Sequence, residues 1–332
     1  MSEIDKPRLI DSFGREIRYL RLSVTDRCNL RCTYCMAEDM TFLPKRKVLS
    51  IEEMIQVASA FVELGVEKIR LTGGEPLVRN GLVELAQELS SLPGLSELVM
   101  TTNGVLLDKF AQPLKDAGVS RLNISIDSLK AERFKSLTRF GQLDDVLRGI
   151  DSARDAGFER IKLNAVILNG FNDDEVLSLT QFAVDHGLDI SFIEEMPLGE
   201  IDSHARNKTA LTSDSIKQQL EDRFGLKQSR SVDPSAGPSR YFSLQGTQSK
   251  VGFISPMSNN FCASCNRVRI TAEGLLLLCL GNEHSLNLRE IVRNTPDVLK
   301  QKILNSMQRK PEKHYFDPNE IKVMRHMNVT GG

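Results

Sequence analysis

The sequence predicts an α/β fold, namely a partial (β/α)6 barrel of the TIM type. Six short β-branched runs recur between residues 19 and 194, and amphipathic helical patterns separate them. Strands that alternate with helices form parallel sheets with right-handed crossovers. Because six strands are too few for a closed eight-fold barrel, we expect an open, curved sheet with its chemistry at the carboxyl ends of the strands.

Each element of the predicted barrel is bounded by local signals. The predicted strands cover residues 19–25, 68–72, 97–102, 121–126, 160–168 and 188–194. The first helix covers 51–64, because Ser50 and Glu53 form a capping box and Gly65 ends the pattern. The remaining helices are predicted at 81–90, 108–117, 143–156 and 173–186.

The last third of the chain has a different pattern. A stretch rich in Ser, Pro and Gly at 229–239 predicts a loop or hinge, so we divide the chain into a barrel domain at 1–228 and an α+β extension at 229–332. Short strands are predicted at 240–244, 250–254, 267–271 and 275–278, with a hairpin turn at 272–274. Two helices follow, near 286–293 and 297–308.

Composition excludes several classes of protein. A net charge of −1 and a pI near 6.6 argue against a nucleic-acid coat or a polybasic membrane anchor. The sequence has no signal-peptide pattern and no apolar run near the roughly 18 residues of a membrane span. Its six cysteines are clustered, which favours metal binding over disulfides. We therefore expect a cytoplasmic protein that binds neither nucleic acid nor membrane.

The first cysteine cluster directly follows the first predicted strand. Cys28, Cys32 and Cys35 have C-x3-C-x2-C spacing. Thiolates select zinc, copper(I) or iron–sulfur clusters, and a closed structural zinc site needs a fourth ligand. Three thiolates can hold three irons of a cubane and leave the fourth iron open to a small molecule. A structural metal knuckle is the alternative at this point.

A second group of three cysteines lies in the extension. Cys262, Cys265 and Cys279 have C-x2-C-x13-C spacing, and His284 is a possible fourth ligand for a zinc site. Arg267 and Arg269 alternate along a predicted strand, so both guanidinium groups face the same side. Paired arginines make bidentate contacts that suit phosphate oxygens.

Two of the barrel strands end in residues suited to ligand contact. Gly73 and Gly74 follow the second strand and let backbone approach a ligand, and Glu75 precedes a proline that restrains it. Ser125 closes the fourth strand. Each of these residues has a plainer interpretation as part of a turn or a turn cap.

Taken together, the motifs resemble the GTP 3′,8-cyclase (MoaA) family of the radical S-adenosylmethionine superfamily. The motifs are Thr25-Asp26-Arg27-Cys28-Asn29-Leu30-Arg31-Cys32 with Cys35, Ile69-Arg70-Leu71-Thr72-Gly73-Gly74-Glu75-Pro76, Cys262 and Cys265-Asn266-Arg267-Val268-Arg269, and terminal Gly331-Gly332. The resemblance spans nearly the whole chain. It implies a partial barrel closed by the extension, with two 4Fe–4S clusters held by the six cysteines.

The resemblance also implies roles for individual residues. S-adenosylmethionine would contact Tyr34, Gly74, Ser125 and Met196, and GTP would contact Arg21, Arg70, Thr101, Lys162, Arg267, Val268 and Arg269. The residues implied in catalysis are Cys28, Cys32, Cys35, Arg267, Arg269, Gly331 and Gly332. One departure is Ser191, where many relatives carry an arginine.

The implied reaction is the radical cyclisation of GTP to 3′,8-cyclo-7,8-dihydro-GTP, the first step of molybdopterin biosynthesis. The implied partners are an electron donor of the flavodoxin or ferredoxin type, the downstream cyclic pyranopterin monophosphate synthase, and a second copy of the chain in a homodimer. Two alternatives stay open, namely a radical enzyme that modifies a peptide with the help of an auxiliary cluster and a non-enzymatic zinc protein.

Overall fold

The structure is a computed structural model that describes residues 8–199, 201, 211–229, 235, 237–317 and 320–331. Its strands are β1 Tyr19–Ser23, β2 Lys68–Thr72, β3 Glu97–Thr102, β4 Arg121–Ser125, β5 Ile161–Ile167, β6 Asp189–Glu194, β7 Leu226–Gln228, β8 Arg240–Leu244, β9 Lys250–Ile254, β10 Arg267–Ile270, β11 Leu275–Leu277 and β12 Ser285–Asn287. They form one sheet in the order β12-β11-β10-β1-β2-β3-β4-β5-β6-β9-β8-β7.

Helices connect the strands of the barrel and cover its outer face. They are α1 Ile51–Glu63, α2 Leu82–Ser90, α3 Leu107–Asp116, α4 Ala131–Thr138, α5 Leu143–Asp155, α6 Val176–Asp185, α7 Ser213–Phe224, α8 Leu288–Asn294, α9 Leu299–Met307 and α10 Met327–Thr330. The capping box of α1 is present, since Glu53 N donates to Ser50 Oγ and Ser50 N donates to the Glu53 carboxylate. No helix in the described part of the chain has the length and apolar content of a membrane span.

The predicted partial barrel is confirmed, and the extension enlarges it at both edges. Strands β1 to β6 pair in parallel, β10 adds in parallel beside β1, and β9 adds in parallel beside β6. Eight described strands therefore run in the same direction. The hairpins predicted in the extension are also present, with β8 antiparallel to β9 and β10 antiparallel to β11.

Most predicted elements differ from the structure by one to three residues at their ends. Helices α4, α7 and α10 and strands β7 and β12 were not predicted. Three of these elements are only three or four residues long, which is too short for a periodic signal. Helix α7 is mostly polar, with Ser213, Ile216 and Leu220 buried. Of the predicted hinge at 229–239, residues 230–234 and 236 lie outside the described part.

Alternation along the strands divides apolar from polar side chains. Leu20 and Leu22 of β1 belong to the core, whereas Tyr19 and Arg21 line a cavity inside the barrel. The parallel register places Tyr19 opposite Lys68, Arg21 opposite Arg70, and Ser23 opposite Thr72. Because neighbouring strands share this register, polar side chains form layers across the inner face.

The N-terminal arm braces the extension. Arg15 is 9% exposed, pairs with the buried Asp11 carboxylate at 2.6 Å, and donates to the carbonyls of Cys262, Pro311 and Glu312 at 2.6–2.8 Å. A buried guanidinium that satisfies three carbonyls and a carboxylate fixes all four groups. The brace therefore connects the start of the chain to the loop that carries Cys262.

Replacing Arg15 by methionine should lower the free energy of unfolding by ~3 kcal/mol, because the Asp11 charge would stay buried without its partner. Urea unfolding followed by circular dichroism measures the change. Arg309→Met is the matched control, since Arg309 is exposed and surface substitutions usually change stability by about 0.5 kcal/mol or less. An equal midpoint for the two variants would contradict the proposed brace.

Candidate functional site

One cavity of about 660 Å³ runs through the barrel and brings the predicted site residues together. The predicted residues that line it are Arg21, Cys28, Cys32, Tyr34, Cys35, Arg70, Gly74, Thr101, Ser125, Lys162, Met196, Cys262, Cys265, Arg267, Val268, Arg269 and Cys279. Gly331 contacts two of these residues, and Gly332 lies outside the described part of the chain. The sequence thus predicted residues that share one site.

The two cysteine groups lie toward opposite ends of the parallel strands. Cys28 follows the carboxyl end of β1, whereas Cys265 precedes the amino end of β10, which is parallel to β1. A five-residue strand spans roughly 15 Å. Only the first group therefore lies at the carboxyl ends of the strands, where we expected the chemistry. The side chains of β1, β2 and β10 lie between the two groups.

The first cysteine loop is held against α4. The backbone N–H groups of Arg31 and Thr33 donate to the carbonyls of Thr138 and Leu137, and Leu30 N donates to Cys28 Sγ at 3.4 Å. All three thiols are free. Burial raises the pKa of Cys28 to about 11 and that of Cys35 to about 12. Such thiols ionise when a metal compensates the charge.

Asp127 anchors the loop to the end of β4. Tyr34 Oη donates to Asp127 Oδ2, and Val166 N donates to Asp127 Oδ1, both at 2.8 Å. Burial raises the pKa of Asp127 to about 6. The sequence suggested a role for the Tyr34 backbone, and the structure adds a positioning role for its side chain. The position of Asp127 two residues after Ser125 was its only signal in the sequence.

Gly74 and Glu75 support the same loop from β2. A side chain at Gly74 would collide with the backbone of Asp26 and Arg27, so the missing side chain permits close packing against this loop. The Glu75 carboxylate, whose pKa burial raises to about 7, accepts from Thr102 Oγ1 and Asn103 N, both at 2.7 Å. Asn103 Nδ2 in turn lies 3.8 Å from Cys28 Sγ. Asn103 was not predicted.

Cations form a layer across β10, β1 and β2. Arg21 lies opposite both Arg269 and Arg70 in the register. Burial and the neighbouring Arg269 lower the pKa of Arg21 well below its usual value, and burial and Arg267 lower the pKa of Arg269 to about 10. Buried like charges destabilise one another and attract an anion.

Hydroxyl and carbonyl oxygens accept hydrogen bonds from this layer. Arg70 donates to Tyr19 Oη at 2.5 Å and to Thr101 Oγ1 at 3.0 Å. Arg21 and Arg269 donate to the carbonyl oxygen of Gly331 at 2.9 and 3.2 Å. The C-terminal tail therefore reaches the cation layer. These hydrogen bonds fix the directions in which the guanidinium groups point.

The second cysteine group has its own cation. Lys310, 3% exposed, donates to the carbonyls of Leu278 and Arg267 at 2.5 and 2.9 Å, and its Nζ lies 3.6 Å from Cys265 Sγ. Burial alone would raise the pKa of Cys265, but Arg267 and Lys310 lower it to about 7. This environment favours a thiolate. Neither Lys310 nor Arg15 could be identified from a local motif.

The donor set bears on the zinc alternative. Among the described residues, no three His, Cys, Asp or Glu side chains are arranged to hold one metal ion. His284 is absent from the cavity lining, whereas His314 belongs to it and bonds to the Pro256 carbonyl at 2.9 Å. The cysteines of both groups offer soft thiolate donors, which are the ligands that iron–sulfur clusters take.

At the opposite side of the barrel, Ser191 Oγ lies 3.0 Å from Ser239 Oγ. Lys162 Nζ donates to Tyr241 Oη at 3.2 Å, so the extension supplies a phenol beside this lysine. Polar lining residues that were not predicted include Tyr19, Lys68, Arg121, Asn123, Arg160, Asn164, Tyr241 and Lys250. Lys68 had a detectable signal, since it alternates with Arg70 along β2.

Comparison with known families divides the chain in two. Residues 22–183 match the Radical SAM superfamily, and residues 188–316 match the family described as Molybdenum Cofactor Synthesis C. The crystal structure of Streptococcus suis SuiB bound to S-adenosylmethionine has a TM-score of 0.62 at 15% identity, covering 89% of this chain and 68% of that one. At this identity the similarity shows the fold alone.

Curated relatives match over nearly the full length. The chain is 56% identical over 329 residues to a GTP 3′,8-cyclase of Pseudomonas entomophila (strain L48), covering 98% of both chains. It is 54% identical over 334 residues to a GTP 3′,8-cyclase of Pseudomonas syringae pv. syringae (strain B728a), covering 99% of this chain and 100% of that one.

Proposed function

The chain belongs to the GTP 3′,8-cyclase family, and we propose that it converts GTP to 3′,8-cyclo-7,8-dihydro-GTP, the first step of molybdopterin biosynthesis. The observation that carries this proposal is the layer of cations, Arg21, Arg70 and Arg269, between two groups of three cysteines in one cavity. A triphosphate is the kind of anion that such a layer would bind.

A 4Fe–4S cluster and S-adenosylmethionine are the cofactors of this reaction. Cys28, Cys32 and Cys35 would hold the cluster, because they offer soft thiolates only and Leu30 N supplies a hydrogen bond to one sulfur. When bound, the two cofactors supply one-electron chemistry that removes a hydrogen from the ribose of GTP. The lining residues Tyr34, Gly74, Ser125 and Met196 are the proposed contacts of S-adenosylmethionine.

We assign a second cluster to Cys262, Cys265 and Cys279. The support for this assignment is the acidified Cys265 thiol, stabilised by Arg267 and Lys310. Three ligands on four irons would leave one position for the guanine of GTP. The proposed GTP contacts are Arg21, Arg70, Thr101, Lys162, Arg267, Val268 and Arg269.

The chain's own residues then align and protect the nucleotide. The cations would hold the triphosphate, the barrel wall would exclude water, and the hydrogen-bonded carbonyl of Gly331 would keep the tail against the substrate. We retain as proposals the catalytic role of Gly331 and Gly332, a flavodoxin- or ferredoxin-type donor, product transfer to cyclic pyranopterin monophosphate synthase, a homodimer, a cytoplasmic location and the domain division at 228/229.

Anaerobic turnover tests the proposed function. Reconstituted enzyme is incubated with GTP, S-adenosylmethionine and a reductant, and the product is identified by mass spectrometry. The expected product carries a new C3′–C8 bond and is isomeric with GTP, since one hydrogen is removed from C3′ and one proton and one electron are added. It is therefore separated from GTP by chromatography and identified by its fragmentation. Cleavage of S-adenosylmethionine without a modified nucleotide would overturn the assignment and favour another substrate, such as a peptide.

Cys28→Ala and Cys279→Ala form a matched pair. Cys28→Ala should abolish formation of 5′-deoxyadenosine, because the first group would lose a ligand. Cys279→Ala should retain cleavage of S-adenosylmethionine while cyclisation falls at least tenfold, since only the second group changes. Chromatography of both products, together with iron and sulfide analysis, measures the two effects. Identical product profiles for the two variants would refute separate roles.

Gly331→Ala should depress cyclisation at least tenfold without loss of folding. The residue has a φ of +77°, and an added Cβ would collide with Thr72 Oγ1. Gly246→Ala is the control, because Gly246 has a φ of +76° and no atom near the position of an added Cβ. Rates at saturating GTP and cluster contents are compared. Full activity of Gly331→Ala would remove the tail from the mechanism.

A further inference from the structure

A buried tyrosine lies under the cation layer and has no part in the function proposed above. Tyr19 is 1% exposed, begins β1 and lines the cavity. The sheet register places it between Lys68 of β2 and Arg267 of β10. Tyrosine hydroxyls that are buried usually have a partner, and the partner of this one is a guanidinium.

Tyr19 and Thr101 hold Arg70 from two sides. Arg70 Nε donates to Tyr19 Oη at 2.5 Å, while Arg70 Nη1 donates to Thr101 Oγ1 at 3.0 Å and to the Met100 carbonyl at 3.4 Å. The Tyr19 ring is also 5.4 Å from Lys68 Nζ and 6.0 Å from Arg70 Cζ. Without the phenol, Arg70 would lose its shortest hydrogen bond and much of its orientation.

The charges that face Tyr19 are positive on every neighbouring strand. They are Arg21 on its own strand, Lys68 and Arg70 on β2, Lys162 on β5, and Arg267 and Arg269 on β10. The Glu97 carboxylate is paired with Lys68 and Arg121. Burial alone would raise the pKa of Tyr19, but Arg70, Arg21 and Lys68 lower it to about 7. A phenolate here offsets repulsion among the cations.

We propose that Tyr19 is a positioning residue for the triphosphate of GTP: it holds Arg70 in place and takes a proton from solvent when the nucleotide brings its own negative charge. The inference rests on the proposed function, since GTP is its ligand. Only one bond is formed, between the proton and the phenolate oxygen. The neutral phenol still accepts the hydrogen bond from Arg70, so the guanidinium keeps its orientation toward the phosphates.

The sign of the pH dependence follows from linkage. A bound triphosphate disfavours a second anion in the same layer, so nucleotide binding raises the proton affinity of Tyr19. Binding is then coupled to proton uptake, and the affinity for GTP falls as the pH rises above about 7, the pKa of Tyr19. Below that pH the phenol is already protonated, and its contribution to the pH dependence disappears.

Calorimetric titration of reconstituted enzyme with GTP tests the proposal. Titrations in two buffers with different heats of ionisation give the number of protons taken up per nucleotide. Between about pH 7.5 and 9 the wild type should take up more protons than Tyr19→Phe, and its GTP affinity should fall more steeply with pH. At about pH 6, where the phenol is already protonated, the variant should bind GTP roughly tenfold more weakly because Arg70 lacks its hydrogen bond to the phenol. Tyr315→Phe, which removes a phenol that is 54% exposed, should match the wild type. Protonation of the nucleotide itself contributes equally in the wild type and both variants, so it cancels when their proton uptake is compared.

Steady-state kinetics separate positioning from a structural defect. At about pH 6, Tyr19→Phe should raise the KM for GTP while kcat stays within about twofold and the cluster content is unchanged. Equal proton uptake and equal GTP affinity in wild type and Tyr19→Phe would overturn the inference. If Tyr19→Phe does not fold, the pH dependence of the wild type is the deciding measurement. A wild-type affinity for GTP that does not fall between about pH 7.5 and 9 would exclude proton uptake by Tyr19. Failure of the wild type to bind GTP would instead overturn the proposed function.

Discussion

Repulsion among the cations that line the cavity is the constraint on which the structure of this site depends. The parallel register sets Arg21 directly between Arg269 and Arg70, and all three residues line the cavity. In a protein with a net charge of −1, such a layer is a local property of the sheet rather than a consequence of composition. The fold tolerates this cation layer because hydrogen-bond acceptors from several elements contact it. These acceptors are the Tyr19 phenol, the Thr101 hydroxyl and the carbonyl of Gly331. A triphosphate, the ligand proposed for this layer, would satisfy the same donors with more charge.

The two cysteine groups are held by different means, in keeping with their positions. The first follows β1 and is fixed by polar groups at strand ends, with the Glu75 carboxylate connected through Asn103 to the loop of Cys28. The second precedes β10 and is fixed by the buried cations Arg15 and Lys310. A cation beside a thiol favours the thiolate, whereas burial beside a carboxylate disfavours it. Cys265 of the second group therefore has an environment opposite to that of Cys28 in the first group, whereas burial raises the pKa of Cys279 as well.

Local signals explain how much the sequence could predict. Spacing identified both cysteine groups, and alternation along a strand placed Arg267 beside Arg269, because these relations span few residues. The same rule applied to β2 would have added Lys68. The roles of Tyr19, Arg15 and Lys310 depend on partners up to 297 positions away, and nothing local distinguishes them from other buried or surface side chains. Likewise, short β-branched runs predicted hairpins in the extension, but the attachment of β9 and β10 to opposite edges of the barrel is set by long-range pairing.

That attachment connects stability with function. A six-stranded open barrel exposes an unpaired edge at β1 and another at β6, and such edges invite pairing with other chains. The extension covers both, and each covering strand also brings polar groups to the cavity: β10 carries Arg267 and Arg269 and follows Cys265, while Tyr241 in the hairpin with β9 contacts Lys162. Because the same main-chain hydrogen bonds close the edges and set the register of the cations, a shift of β10 by one residue would turn both arginines away from the cavity. The position of the cation layer is thus as strongly specified as the sheet itself.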